Sequence, residues 1–290
     1  MTKQRKAELL LVMVTVFWGI SYLLMDYCLT DLQPMNLNAF RFLLAFFLLS
    51  ALFFKRVRKV SRATLRYSVP IGLCLVLTYI GATYGVKYTS VSNAGFICAM
   101  TVVVTPVLEW LFLRKRPGRK LFLALLLCTA GLALLTLSDS LRPAPGDVLC
   151  LLCPLFYAGD LLLTDRAAQR EDVDLLALGV TELGVTGAVM LLLSLLLEEP
   201  HLPQSPGVWA GAVFLGIFCT GVAFAVQSVW QKYTTPSRVG LIFTLEPVFS
   251  AVAAYFWAQE RLALRGYAGA ALMLISLLLM ESGDKERKTS

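Results

Sequence analysis

Four carboxylates stand inside long apolar runs of this 290-residue sequence, Glu109, Asp160, Glu182 and Glu246, against one interior base, Arg41. A charge at the centre of a bilayer costs about 2.5 to 3.5 kcal/mol even on a lenient insertion scale, so such groups belong against other helices or a water-filled cavity. A cavity lined by them favours a cationic or zwitterionic amine-bearing metabolite, or a proton, and excludes polyanions. Trp18, Tyr22 and Tyr157 would offer such a ligand cation–π faces. Tyr79, Thr101 and Gln227 would add neutral hydrogen-bonding groups. Arg41 lies near the outer end of its helix, so snorkelling to headgroups and a cavity role both stay open.

Other chemistries find little support. The single histidine, His201, sits in the polar loop "EEPHLPQSP" and cannot complete a buried triad or zinc site. Cys150-x-x-Cys153 has a redox or metal spacing but lacks the strand context of a thioredoxin site, and the seven cysteines, nearly all well inside apolar spans, read as packing residues, this pair included. No Walker-type glycine-rich loop appears, so nucleotide-driven pumping is not expected. The chain reads as a non-enzyme with no cofactor and no metal.

The elements that must hold these residues are membrane helices. Hydrophobic residues make up 58% of the chain and charged ones 16%, against about a quarter charged in a soluble domain. Apolar runs at 7–29, 35–54, 67–86, 91–113, 121–138, 146–164, 174–197, 207–230, 239–258 and 264–281 are each long enough to cross a hydrocarbon core about 30 Å thick. The expected fold is an all-α polytopic membrane protein with ten transmembrane helices. With the N-terminus inside, inside segments hold 21 lysines and arginines and outside loops four. That bias predicts both termini cytoplasmic, in a plasma membrane such as a bacterial inner membrane. It also accounts for the net charge of +7 by topology and attraction to anionic headgroups, without nucleic acid.

"KYTSVSNAGFI" at 87–97 and "KYTTPSRVGLI" at 232–242 are identical at six of eleven positions, 145 residues apart. The chain thus reads as a duplication, residues 1–140 and 141–290, with five helices each. Five is odd, so the second copy starts from the opposite face and the repeats are inverted. Charge agrees: "KRVRKVSRATLR" carries six basic residues and its counterpart "EEPHLPQSP" none. Inverted repeats are the usual frame of secondary transporters, with the site near the midplane.

"VFWGISYLL", "AGFICAMTVVVTPVLEWLFLRKRP" and above all "SRVGLIFTLEPVFSAVAAYFWAQERL" resemble the paired signatures of the drug/metabolite transporter superfamily, EamA type. The resemblance covers almost the whole chain. It implies two inverted five-helix units moving a small metabolite, often outward, by alternating access. The first copy departs from the pattern, ending in "RKRP" where the second keeps Glu260-Arg261. Read with the acids, it suggests an exporter of an amino acid or amine-like compound with protons as a further partner. A lipid or lipid-linked metabolite flippase and a non-transporting membrane sensor remain open.

Residues four apart share a helix face. One polar row runs Arg238, Ile242, Glu246, Ser250, Ala254; its repeat-equivalent runs Asn93, Ile97, Thr101, Thr105, Glu109. Thr101 therefore stands where Glu246 stands in the other copy. Pro247 and Pro106 each remove a helix amide and free a carbonyl one turn back, so both are hinge candidates. The fifth and tenth spans have almost no polar groups and include the small pair Gly266 and Ala270. They are expected at the periphery, bracing each repeat or forming a homodimer.

Overall fold

A computed structural model describes residues 2–88, 96–114, 118–136, 145–258 and 263–287, without the side chains of residues 22, 86, 87, 254, 257, 258 and 280–287. The described residues are helical almost throughout. We label α1 Lys3–Cys28, α2 Pro34–Leu52, α3 Arg62–Gly85, α4 Phe96–Leu113, α5 Arg119–Thr136, α6 Pro145–Ala168, α7 Leu175–Leu197 and α8 Pro206–Tyr233. Two half-helices follow, α9 Pro236–Phe243 and α10 Glu246–Ala258, and then α11 Leu264–Arg287. Seven of these, α1 to α4 and α6 to α8, are long and apolar enough to cross a membrane by length and composition. The other three expected spans are helical too, but the ninth is broken between Phe243 and Glu246. Large apolar side chains such as Phe47, Leu111, Leu197 and Phe256 point outward, more than 60% exposed. A surface of that kind is the lipid-facing side of a polytopic membrane protein.

Local signals set the helix starts. Asp174 accepts from the Leu176 and Ala177 amides to cap α7. Ser205 caps α8 with Pro206 in its first turn, and α9 begins on Pro236. Glu198 takes the Met35 and Asn36 amides at 2.9 and 2.8 Å, satisfying the first turn of α2 from a distant loop.

Several helix contacts pair up when the first five segments are exchanged for the last five. α5 packs on α11, α2 on α7 and α4 on α9; α3 against α6 mirrors α8 against α1, and α4 against α6 mirrors α1 against α10. The α5–α11 crossing is closest at Gly131 and Gly269, where a Cβ on either would lie 2.6 or 2.5 Å from the other's carbonyl oxygen. These glycines make a close small-residue contact, one turn from Gly266 and beside Ala270 of the same helix. It lies within one chain.

One end of the bundle gathers the N-terminus, the α2–α3 and α6–α7 loops and the α8–α9 junction. Ser61 donates to the Asp172 carbonyl, and Arg238 pairs with Glu8. The other end joins the α1–α2 and α7–α8 loops, through the Gln204 amide on Asp31 and Asn36 on the His201 carbonyl.

Candidate functional site

The break in the ninth expected span explains how a carboxylate and a proline coexist there. Thr244 and Leu245 form a turn, and Glu246 and Pro247 open α10. Proline costs little in a first turn, where its missing amide would have no intrahelical partner, and a carboxylate there meets the positive end of the helix dipole. α4 is interrupted at Met100, just before Thr101, at the repeat-equivalent place. Pro106 lies six residues further on, inside the continuous Thr101–Leu113 segment.

Beside the α9–α10 break, α1 comes very close. A Cβ on Gly19 would be 2.6 Å from the Phe249 Cβ and 2.8 Å from the Ser250 nitrogen, so only glycine permits the approach. That seats Trp18 among Phe243, Phe224 and Tyr157, with ring centroids at 4.7, 5.6 and 6.0 Å. Phe42 extends the wall, 6.0 Å from Phe224 and 4.9 Å from Tyr79.

Across this wall, residues Ile217–Val222 of α8 wind as a π-helix. The wider turn releases backbone groups from the regular ladder. The Cys219 carbonyl accepts the Trp18 indole N–H at 2.9 Å and an Arg41 N–H at 3.4 Å, and Thr220 Oγ1 accepts Arg41 Nε–H at 2.8 Å. Arg41 is only 1% exposed, its guanidinium over the Tyr79 and Phe42 rings at 5.2 and 5.7 Å. Snorkelling is thereby overturned: α2 turns this side chain toward α8, not toward headgroups.

The acids lie alongside. Tyr157 donates to Gln227 Oε1 at 3.0 Å, Gln227 faces Asp160 at 3.5 Å, and Thr164 donates to Asp160 at 3.1 Å. On the adjacent residue, Ser228 donates to Glu182 Oε1 at 3.3 Å, whereas Glu182 Oε2 is buried with no hydrogen-bond partner. Asp160 and Glu182 are 1% and 2% exposed and face adjacent residues of α8. Glu246 is half-buried at the start of α10, its backbone carbonyl 3.0 Å from where a Cβ on Gly19 would lie, next to Trp18. Such an arrangement can hold a small polar molecule between one fixed cation and several acids, against aromatic walls.

Of the residues expected from sequence, Trp18, Arg41, Tyr79, Tyr157, Asp160, Glu182, Gln227 and Glu246 thus fall in one layer. Thr101 donates to the Cys98 carbonyl of its own helix and lies where α4 meets Gly240 of α9. Glu109 is elsewhere, accepting from Ser237 at the α8–α9 end. The Tyr22 side chain, Asn93 and Glu260-Arg261 lie outside the described residues. Cys98 joins Cys150 and Cys153 in one buried cluster, and among the described residues no group of three or more His, Cys, Asp or Glu could hold a metal. Sequence reasoning missed Phe42, Phe224 and Phe243, which look like any core aromatics. It also missed Ser228 and Thr220, the latter hinted at by a hydroxyl beside glycine in "FCTGVAF".

Comparison with known proteins places this geometry. An "Uncharacterized transporter" of Archaeoglobus fulgidus (strain ATCC 49558 / DSM 4304 / JCM 9628 / NBRC 100126 / VC-16) is 26% identical over 282 residues, 96% of this chain and 86% of that protein. The "Uncharacterized transporter YwfM" of Bacillus subtilis (strain 168) is 22% identical over 98% of this chain and 96% of its own. A solved structure titled only "Crystal structure of protein" superposes with a TM-score of 0.79 at 17% identity, over 95% of this chain and 96% of that one, which shows a shared fold. The model of the EamA-like transporter family matches twice, at residues 5–137 and 144–282, and the chain belongs to that family.

Proposed function

We propose that this chain is a secondary transporter that carries a small amine-bearing metabolite, an amino acid or related compound, outward across a plasma membrane. The observation that carries the reading is the packing of Trp18 on Tyr157 and Phe243, with Tyr157 bonded through Gln227 to Asp160, Glu182 on the adjacent Ser228, and Glu246 against Gly19. A cationic amine is stabilised by both the aromatic faces and the carboxylates. A polyanion is opposed by three acids.

The two halves, 1–140 and 141–290, act as inverted repeats that rock about this layer. The paired contacts of α1 to α5 against α6 to α11 support this. The end bearing Glu8 and Arg238 is the cytoplasmic one, in keeping with its basic loops. Pro247, beside the α9–α10 break, serves as a hinge. Glu182 and Glu246 exchange protons for cargo, as the unpartnered Glu182 Oε2 supports. Binding is the first test: a thermal-shift panel of amino acids, polyamines, choline and apolar amines, set against nucleotide sugars and sugar phosphates. Stabilisation by the amine-bearing set is expected. Stabilisation by a nucleotide sugar or sugar phosphate instead would reject the reading.

A further inference from the structure

We propose that the Arg41 guanidinium is the docking group for a carboxylate on the transported molecule. This rests on the transporter reading and sharpens it, since the cargo then carries a monoanionic oxygen pair as well as an amine.

A guanidinium has five N–H donors in a planar fork. Arg41 commits two of them, to Thr220 Oγ1 and the Cys219 carbonyl, both on the π-helical turn of α8. Among the described residues, no carboxylate lies within ion-pairing distance of it. A full charge that is 1% exposed without a counter-ion is a costly arrangement, yet the fold builds it with care. The two bonds fix the fork, and the Tyr79 and Phe42 rings stack over it. Three N–H groups are left to face a ligand. The anion that matches a planar fork with two parallel bonds is a carboxylate.

Charge balance narrows the class further. A single monocation suits a monoanion, whereas a phosphate dianion would need more than one cation. Trp18 donates to the same Cys219 carbonyl that Arg41 holds, and Gly19, the next residue, abuts the Glu246 backbone, so Trp18 links the neighbourhoods of the two charges. A zwitterion laid there directs its carboxylate to Arg41 and its ammonium to Glu246. α-Amino acids have that form.

The test uses purified full-length protein in detergent and three pairs of probes. Acetate, 4-methylpentanoate and 3-phenylpropanoate carry a carboxylate only; methylamine, 3-methylbutylamine and 2-phenylethylamine carry an amine only. At least one carboxylate is expected to bind the wild type, and Arg41→Gln should weaken it by at least about tenfold while leaving amine binding within about twofold. Arg41→Lys should recover part of the loss. Protection supplies a readout that needs no variant: the bound carboxylate, and not the matching amine, should slow phenylglyoxal modification of Arg41, followed by mass spectrometry. If no carboxylate binds the wild type, or if binding survives Arg41→Gln, or if none protects Arg41, the proposal is overturned. If carboxylates behave as expected and no amine binds, the docking role stands and the amine-bearing cargo of the wider reading falls.

Discussion

The Glu8–Arg238 ion pair should act as a latch on the end of the bundle where α1 meets α9. Its N···O distance is 2.7 Å and the two side chains are 9% and 12% exposed. At an effective dielectric of about 20 the direct attraction is about 6 kcal/mol. Desolvation offsets most of that, so a double-mutant cycle should give a coupling of about 1 to 3 kcal/mol. Neighbours strengthen the closure: Gln4 and Thr234 donate to Glu8 at 3.1 and 3.4 Å, and Lys6 lies 5.0 Å over the Trp230 ring. Glu8→Gln keeps the hydrogen-bonding oxygen and removes the charge, so it isolates the electrostatic part. The assay is labelling of Thr15→Cys, two turns deeper on the same face of α1 and buried, by a maleimide applied from that end. Loss of about 1.4 kcal/mol of latch energy should raise the labelling rate about tenfold by populating the open state. The swapped pair, Glu8→Arg with Arg238→Glu, should return the rate toward wild type. Equal rates in the wild type, both single variants and the swap would refute the reasoning.

Four further outcomes follow from the same geometry. Gly269→Ala would put a methyl 2.5 Å from the Gly131 carbonyl and 2.7 Å from the Leu135 nitrogen. It should destabilise the protein by about 1 to 3 kcal/mol in a detergent melt, while Gly118→Ala, with nothing within 4 Å, should leave the melt unchanged. Glu246→Gln should fold and abolish the pH dependence of transport, and loss of the protein from the membrane would instead make Glu246 a structural group. Pro247→Ala should slow turnover with equilibrium binding nearly intact, because the first turn of α10 accepts either residue. His201→Cys should react with an impermeant thiol reagent from outside; reaction only from the cytoplasm would invert the topology.

The spans and polar rows were legible because hydropathy and the 3.6-residue period act locally. Glu246 and Thr101 could be matched through the repeat, and both begin a segment after a helix interruption. The place of each interruption was less legible. Pro247 opens α10 instead of bending a continuous helix, and Pro106 stands six residues past the turn at Met100. Arg41 stayed ambiguous because distance from a helix end does not say which neighbour the side chain meets. The α8 π-turn answers donors on α1 and α2, some 180 to 200 residues away in sequence. The Glu8–Arg238 pair spans 230 residues. No local pattern announces contacts of that kind. Small residues on the tenth span pointed to close packing there, but that Gly269 would meet Gly131 of α5 was not legible, because register depends on the partner.

The central claim is transport by alternation about the buried layer, and counterflow tests it most directly. Purified protein reconstituted in liposomes, loaded with an unlabelled amine-bearing compound that stabilises it and holding no nucleotide, is diluted into the labelled compound. The account predicts a transient internal accumulation above equilibrium that disappears when Asp160 and Glu182 are both neutralised in a variant that still folds. A flux with no overshoot, or an overshoot untouched by that variant, would contradict it.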